Sequence, residues 1–136
     1  MFNLAIHKDV GDELVSMRSS HNPDERDAAA FITAFLQEAK NNQTILDKLS
    51  VHRHQDNSID VQRFQTYWQK GKNLWRLKLV SLMDFGLPYR IIYAFDHRIK
   101  TYFILGIVNR DFEYDEKDPR TQRIISIYDK LGVPSY

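Results

Sequence analysis

The 136-residue sequence contains no cysteine, which excludes disulfides, thiolate zinc sites and cysteine nucleophiles. It also lacks any apolar run approaching the roughly 20 residues that a membrane-spanning helix needs. The N-terminal stretch MFNLAIHKDVGDE shows no signal-peptide pattern. Because cysteine-free chains suit a reducing compartment, we expect a soluble cytoplasmic protein that does not associate with membranes.

Net charge is nearly absent, at +1 for the whole chain, but it is unevenly distributed. Residues 63 to 110 contain nine basic and two acidic side chains, a net charge of +7. A basic stretch that is also rich in Tyr and Trp is typical of polyanion binding, because cations contact phosphates and aromatic rings stack on bases. The alternative is that the basic residues line the solvent-exposed face of a sheet, and charge alone leaves both interpretations open.

The first part of the chain predicts an edge strand followed by a helical hairpin. Phe2, Leu4 and Ile6 alternate in MFNLAIH, as in a short half-buried strand. Apolar residues then recur at helical spacing, and a second helix is predicted with Asn22 as N-cap, Pro23 at its first position and an end near residues 41 and 42. Two short antiparallel helices therefore follow the strand.

The second part predicts a β-meander and a closing helix. LWRLKLV, YRIIYAF and TYFILGIV are strand-like, and the short connections DFGLP and DHRIK favour antiparallel pairing. Residues 43 to 73 read mostly as loop, with a possible strand at 59–67. A helix begins after Asp118 and ends at Gly132. We therefore predict one α+β domain over 1–136, a small antiparallel sheet with an N-terminal helical hairpin and a C-terminal helix.

Strand alternation groups several of the basic residues. In LWRLKL, Arg76 and Lys78 project from one face and the apolar side chains from the other. Arg90 alternates with apolar neighbours in YRIIYAF and joins this pair if the strand register aligns them. Arg110 ends the next strand, where a strand-to-loop junction aims a side chain across the sheet. Four cations on one face repel each other unless an anion binds there, so the pattern predicts an anion site.

The segments W-R-L-K-L, Y-R-I-I-Y and F-I-L-G-I-V-N-R, with a late tyrosine and the order β-α-α-β-β-β, resemble the RelE/ParE superfamily of type II toxins. The resemblance is strongest to the RelE and HigB-like ribonuclease branch and covers roughly residues 74 to 114. Three features depart from the family pattern. The basic pair begins with Arg, residues 51 to 73 exceed the family's connection, and only His97, in a turn, lies near the matched strands. The identity of the general base therefore stays open.

The resemblance implies a RelE-like fold and a ribosome-dependent mRNA endoribonuclease that stops translation and growth. It implies metal-independent attack by the 2′-OH without a cofactor, mRNA in the ribosomal A site as substrate, and inhibition by a cognate antitoxin. The catalytic residues that match the family are Lys78, Arg90, Arg110 and Tyr114. To RNA or phosphate binding we assign Arg76, which belongs to the family's basic pair, and Lys72, Lys70 and Arg98.

These residue types suit the implied chemistry. The planar guanidinium forks of Arg90 and Arg110 bind phosphate oxygens and stabilise the charge of the transition state. Crowding by Arg76 and Arg90 lowers the pKa of Lys78, which suits it to proton transfer or to charge stabilisation. The phenol of Tyr114 stacks on a base, orients the substrate or accepts a proton.

Other interpretations of the same residues remain open. Arg76 and Lys78 are solvated strand residues in the simplest case, Arg90 and Arg110 pair with Asp96, Asp111 or the EYDEKD segment, and Tyr114 packs. His52 and His54 are expected in a solvated loop and not in a metal site, and Trp68 and Trp75 in packing. At the level of function, the alternatives are a ParE-like inhibitor of DNA gyrase without catalysis, and a plain RNA- or protein-binding module.

Overall fold

The computed structural model describes residues 1–110 and 116–135, and in these ranges the chain folds as helices packed on a mixed sheet. The strands are Asn3–Ile6 (β1), Ile59–Arg63 (β2), Leu74–Leu79 (β3), Tyr89–Asp96 (β4) and Thr101–Asn109 (β5). The helices are Lys8–Arg18 (α1), Pro23–Lys40 (α2), Gln43–Leu46 (α3), Gln65–Trp68 (α4), Val80–Asp84 (α5) and Pro119–Leu131 (α6). The predicted α+β class is confirmed. None of the described helices combines the length and the apolar composition needed to cross a membrane.

The sheet has the strand order β1-β5-β4-β3-β2. Strands β2 to β5 pair antiparallel in sequence order, so the predicted meander is confirmed and begins one strand earlier than expected. Strand β1 lies at the edge, as predicted, but it runs parallel to β5. The sheet is therefore mostly, and not purely, antiparallel. The segment after β1, which includes α1 and α2, carries the chain to the opposite edge of the sheet, where β2 lies.

The predicted helix ends are also found. The Asn22 side chain accepts a hydrogen bond from the Asp24 backbone N–H, and Pro23 occupies the first helical position, where no N–H is needed. The Asp118 carboxylate caps α6 in the same way. Gly132 ends that helix with φ of 69°, in the left-handed region that favours glycine.

The segment predicted mainly as loop is more ordered than expected. The N–H of Arg53 donates to the Val61 carbonyl at 2.9 Å, and the N–H of Val61 donates to the His54 backbone carbonyl at 2.8 Å. Residues 53 to 56 therefore fold back on β2 as a hairpin, whose turn is held by the Asp56 carboxylate through the N–H groups of residues 58 and 59. Polar groups of this stretch form hydrogen bonds in the turn and along the outer edge of β2. The sequence therefore shows no regular spacing of apolar residues here.

One face of the sheet packs against α1 and α2. Trp75, Leu77, Ile91 and Tyr93 are buried there, and Trp75 meets Trp68 edge to face with ring centroids 5.2 Å apart. The predicted packing role of both tryptophans is confirmed.

Among the described residues, the opposite face is covered in part by α6 and by Phe64 and Tyr67 at α4. Leu74, Ile92, Leu105 and Val108 pack there with residues of α6, Ile124 among them. A β-bulge interrupts the pairing of β4 with β5, because Ile92 pairs with Gly106 whereas Tyr93 pairs with Ile104. Leu105 is the additional residue. After the bulge the side-chain alternation of β5 is shifted by one position.

A candidate anion-binding cleft

The cleft lies on the part of this second face that α6 leaves uncovered. Arg76 of β3 pairs with Ile92 of β4, so it shares the face of that side chain. Lys78 follows two residues later, and Arg90 precedes Ile92 by two, so alternation places both on the same face. The structure thus brings Arg76, Lys78 and Arg90 to one side of the sheet, in the register that the parity pattern requires.

Arg110 reaches the same face because of the bulge. Val108 pairs with Arg90, and alternation from Val108 points residue 110 to the side of Arg90. The Arg110 backbone N–H donates to the Pro88 carbonyl at 2.8 Å, which fixes the end of β5 against the entry to β4. Without the additional residue at 105, the alternation would point Arg110 toward α1 and α2.

Lys78, Arg90 and Arg110 line a cleft of about 150 Å³. The other lining residues are Met83, Gly86, Leu87, Pro88 and Tyr89. Within the ranges that the structure describes, no carboxylate lines this cleft. Three basic side chains thus surround one small concavity whose size is compatible with a phosphate group.

The neighbouring positive charges destabilise the ammonium form of Lys78. Burial lowers the pKa of Lys78, and the nearby guanidinium of Arg90 lowers it further, with smaller effects from Arg76 and Arg110. Asp60, its cross-strand neighbour on β2, acts in the opposite direction. Lys78 therefore releases its proton more readily than an ordinary lysine.

Arg76 lies on the same face of the sheet as the cleft, but it is buried and does not line it. The residue is only 8% exposed, one guanidinium nitrogen donates to the side-chain Oε1 of Gln62 at 3.3 Å, and its Cζ lies 5.5 Å from the centre of the Phe64 ring. Asp60, also 8% exposed, accepts a hydrogen bond from Gln55 at 3.1 Å. Asp60 and Gln62 were not predicted as part of the site, although their spacing in I-D-V-Q-R places them on the face of Arg76.

The other predicted RNA-binding cations lie elsewhere and are paired. Lys70 binds Glu116 at 2.8 Å and Lys72 binds Asp129 at 2.6 Å. Both precede β3, whereas Lys78 lies near the end of that strand. The role of these residues in RNA binding stays a prediction.

Arg98 follows the end of β4 that is remote from Arg90, and it binds Asp96 at 2.9 Å. Asp96, considered above as a partner for Arg90 or Arg110, is therefore engaged by Arg98. The role of Arg98 in RNA binding also stays a prediction.

The remaining residues considered from the sequence are Tyr114, Asp111 and the histidines His52 and His54. Tyr114 and Asp111 fall outside the described residues, so the role assigned to Tyr114 stays a prediction. His54 lies 2.8 Å from the Asp56 carboxylate, and the Nδ1 of His52 accepts the backbone N–H of Arg63 at 3.0 Å. Both histidines thus hold the hairpin together, and no group of metal-ligating side chains was found among the described residues.

No protein-family model matches the chain, and no curated protein sequence matches it. Among solved structures, it is similar to a chain of the archaeal RelE-RelB complex from Pyrococcus horikoshii, with 17% sequence identity and a TM-score of 0.38. The match covers 80% of this chain and 94% of that chain. Because the superposition is this loose, the functional proposal is based on the residues of the cleft.

Proposed function

We propose that this protein is a toxin of a type II toxin-antitoxin system that cleaves mRNA on the ribosome. The supporting observation is the cleft in which Lys78, Arg90 and Arg110 meet around a space of about 150 Å³. The same three residues carry the sequence resemblance to the RelE and HigB-like ribonucleases. Basic side chains around one concavity attract an anionic substrate such as the phosphate backbone of RNA.

The reaction that suits these groups is an in-line attack within the RNA. The 2′-oxygen loses its proton and bonds to the adjacent phosphorus, while the bond from phosphorus to the 5′-oxygen breaks and that oxygen takes up a proton. The products are a 2′,3′-cyclic phosphate and a free 5′-hydroxyl. Arg90 and Arg110 bind the non-bridging oxygens, where negative charge increases. Lys78, with its lowered pKa, donates the proton to the 5′-oxygen, and Tyr114 is the candidate to receive the proton of the 2′-OH.

The size of the cleft supports a requirement for the ribosome. A space of about 150 Å³ accommodates a phosphate group but does not enclose the two nucleosides it joins. The orientation of the 2′-OH must then come partly from outside the protein, and holding the reacting groups in place accounts for a large share of many rate enhancements. An acidic segment of an antitoxin that covers the three cations would block the same cleft.

The test is to add the purified protein to ribosomes programmed with a defined mRNA and to map the products. We expect cuts within the A-site codon that leave a 2′,3′-cyclic phosphate, and rapid loss of protein synthesis when the protein is expressed in cells. Intact mRNA together with a DNA-damage response would contradict the proposal and favour the gyrase-inhibitor alternative.

The pH dependence of cleavage tests the role of Lys78. A proton donor must carry its proton, so the rate should fall as the pH rises through the Lys78 pKa, which lies below the ordinary lysine value. Lys78→Arg keeps the positive charge but does not release a proton in this range. We therefore expect this variant to be about 10²- to 10⁴-fold slower and to lack the alkaline fall. An Arg variant with wild-type rate would assign Lys78 a purely electrostatic role.

A further inference from the structure

A second polar groove lies beside the cleft, between the hairpin at residues 52–55 and β2. It has a volume of about 410 Å³ and is lined by His52, Arg53, Gln55, Gln62 and Gln65. Every one of these side chains carries a hydrogen-bond donor, and no carboxylate lines the groove within the described parts of the chain. In contrast, Glu13 and Glu25 line the groove between α1 and α6. The groove beside β2 therefore resembles the anion-binding cleft in having cationic lining and no carboxylate among the described residues.

Gln62 of the groove lies on the same face of the sheet as Lys78 of the cleft. Gln62 pairs with Arg76, and its side chain meets the Arg76 guanidinium at 3.3 Å. From strand spacing and rise, the Cα atoms of Gln62 and Lys78 are separated by about 8 Å. Among the residues that the structure describes, Asp60 is the carboxylate between them, and it is 8% exposed and bound by Gln55. Within this part of the chain, no exposed acid separates Lys78 from the groove, so a linear anionic ligand could extend from Lys78 past Arg76 to the groove.

The groove is preorganised by the backbone. Because the Nδ1 of His52 accepts the Arg63 N–H at 3.0 Å, the hydrogen of the neutral imidazole resides on Nε2. The Gln65 amide nitrogen lies 3.5 Å away, so two neighbouring donors are available to a ligand in the groove. Burial, then the charges of Arg63 and Arg53, lower the pKa of His52, so the ring is neutral at pH 7. Arg53 has φ of 68°, a conformation that non-glycine residues rarely adopt, and its N–H is bonded to Val61.

We propose that this groove is a second RNA subsite, which holds a nucleotide that flanks the scissile phosphate. This proposal rests on the function proposed above and adds where the flanking RNA lies. Arg53 contacts a phosphate, while the His52 Nε2–H and the glutamine amides contact base edges, as single-stranded RNA permits. The hairpin belongs to the segment of residues 51 to 73, whose length departs from the family pattern. The proposed subsite gives that departure a function.

The test removes the Arg53 cation without straining the backbone. Arg53→Gly keeps a residue suited to positive φ, and the matched control is Lys100→Gly, which removes a cation at φ of 49° in the turn between β4 and β5. Affinity is measured for a 2′-O-methyl hexanucleotide, which lacks the attacking hydroxyl, and for the corresponding dinucleotide. We expect Arg53→Gly to weaken hexanucleotide binding about tenfold. Dinucleotide binding should be unchanged, and Lys100→Gly should match the wild-type protein.

Hexanucleotide binding by Arg53→Gly within about twofold of the wild-type value would overturn the subsite. Equal losses for hexanucleotide and dinucleotide would overturn it as well, since they would reflect a general change in charge. Cleavage on programmed ribosomes separates this result from the proposed function. Wild-type protein that cuts mRNA while Arg53→Gly binds normally refutes the subsite alone, whereas wild-type protein that binds the hexanucleotide and never cuts refutes the ribonuclease.

Discussion

Replacing Arg90 or Arg110 by alanine is expected to abolish growth arrest and to lower the rate of mRNA cleavage about 10²- to 10³-fold. Each guanidinium lines the cleft and would stabilise charge that develops in the transition state, where loss of one donor has effects of this size. Single-turnover cleavage on programmed ribosomes measures the rate, and cell growth after induction measures toxicity.

The folded state is the necessary control for these variants. Because Arg90 is half-buried and Arg110 is exposed, replacing either side chain by alanine leaves the apolar core intact, and we expect both variants to remain folded in thermal unfolding. Arg26→Ala is the matched substitution, since its guanidinium contacts the Ser20 carbonyl on the helical side of the molecule. Toxic, folded Arg90→Ala and Arg110→Ala proteins would remove the cleft from consideration as the active site.

Gly106→Ala is expected to destabilise the protein by about 1–3 kcal/mol, the usual range for an overpacked core. A Cβ on this residue would lie 2.4 Å from the Cδ1 and 2.7 Å from the Cγ1 of Ile124, in the apolar cluster under α6. Urea unfolding of the wild-type and variant proteins gives the change in free energy.

A double-mutant cycle shows whether that contact is the cause. Ile124→Ala removes both clashing atoms, so it should be costly alone but should cost less in the Gly106→Ala background. Strictly additive free energies would mean that Gly106 is required for another reason. Leu131→Ala, at the more exposed end of the same helix, provides the comparison.

The fold was predictable where one physical signal acted alone. Asn22, Pro23 and Gly132 mark helix ends through local backbone chemistry, and the three long strands have strong strand propensity, so these elements appear where the sequence predicts them. The hairpin before β2 was not predicted, because its order comes from side-chain caps such as Asp56 and from pairing with a strand of mixed composition. The parallel pairing of β1 with β5 depends on long-range packing that no local pattern contains.

The candidate site was predictable as far as alternation extends within one strand. Arg76, Lys78 and Arg90 follow from parity and register. The side to which Arg110 points depends on the bulge at Leu105, and F-I-L-G-I-V does not reveal in advance where an additional residue enters the ladder. Lys70, Lys72 and Arg98 were assigned to RNA binding by charge alone, and charge does not distinguish a substrate contact from an ion pair with a carboxylate of the same chain.

If the cleft binds RNA as proposed, the positive charges around Lys78 couple that binding to proton uptake. A phosphate in the cleft favours the ammonium form, and so reverses part of the effect by which burial and Arg90 lower the Lys78 pKa. Between the lowered pKa of Lys78 in the free protein and its higher pKa in the complex, binding takes up a proton from solution, and affinity falls as the pH rises. An acidic inhibitor segment in the same place would be subject to the same linkage, so substrate and inhibitor would weaken together in alkaline solution and their competition would change little.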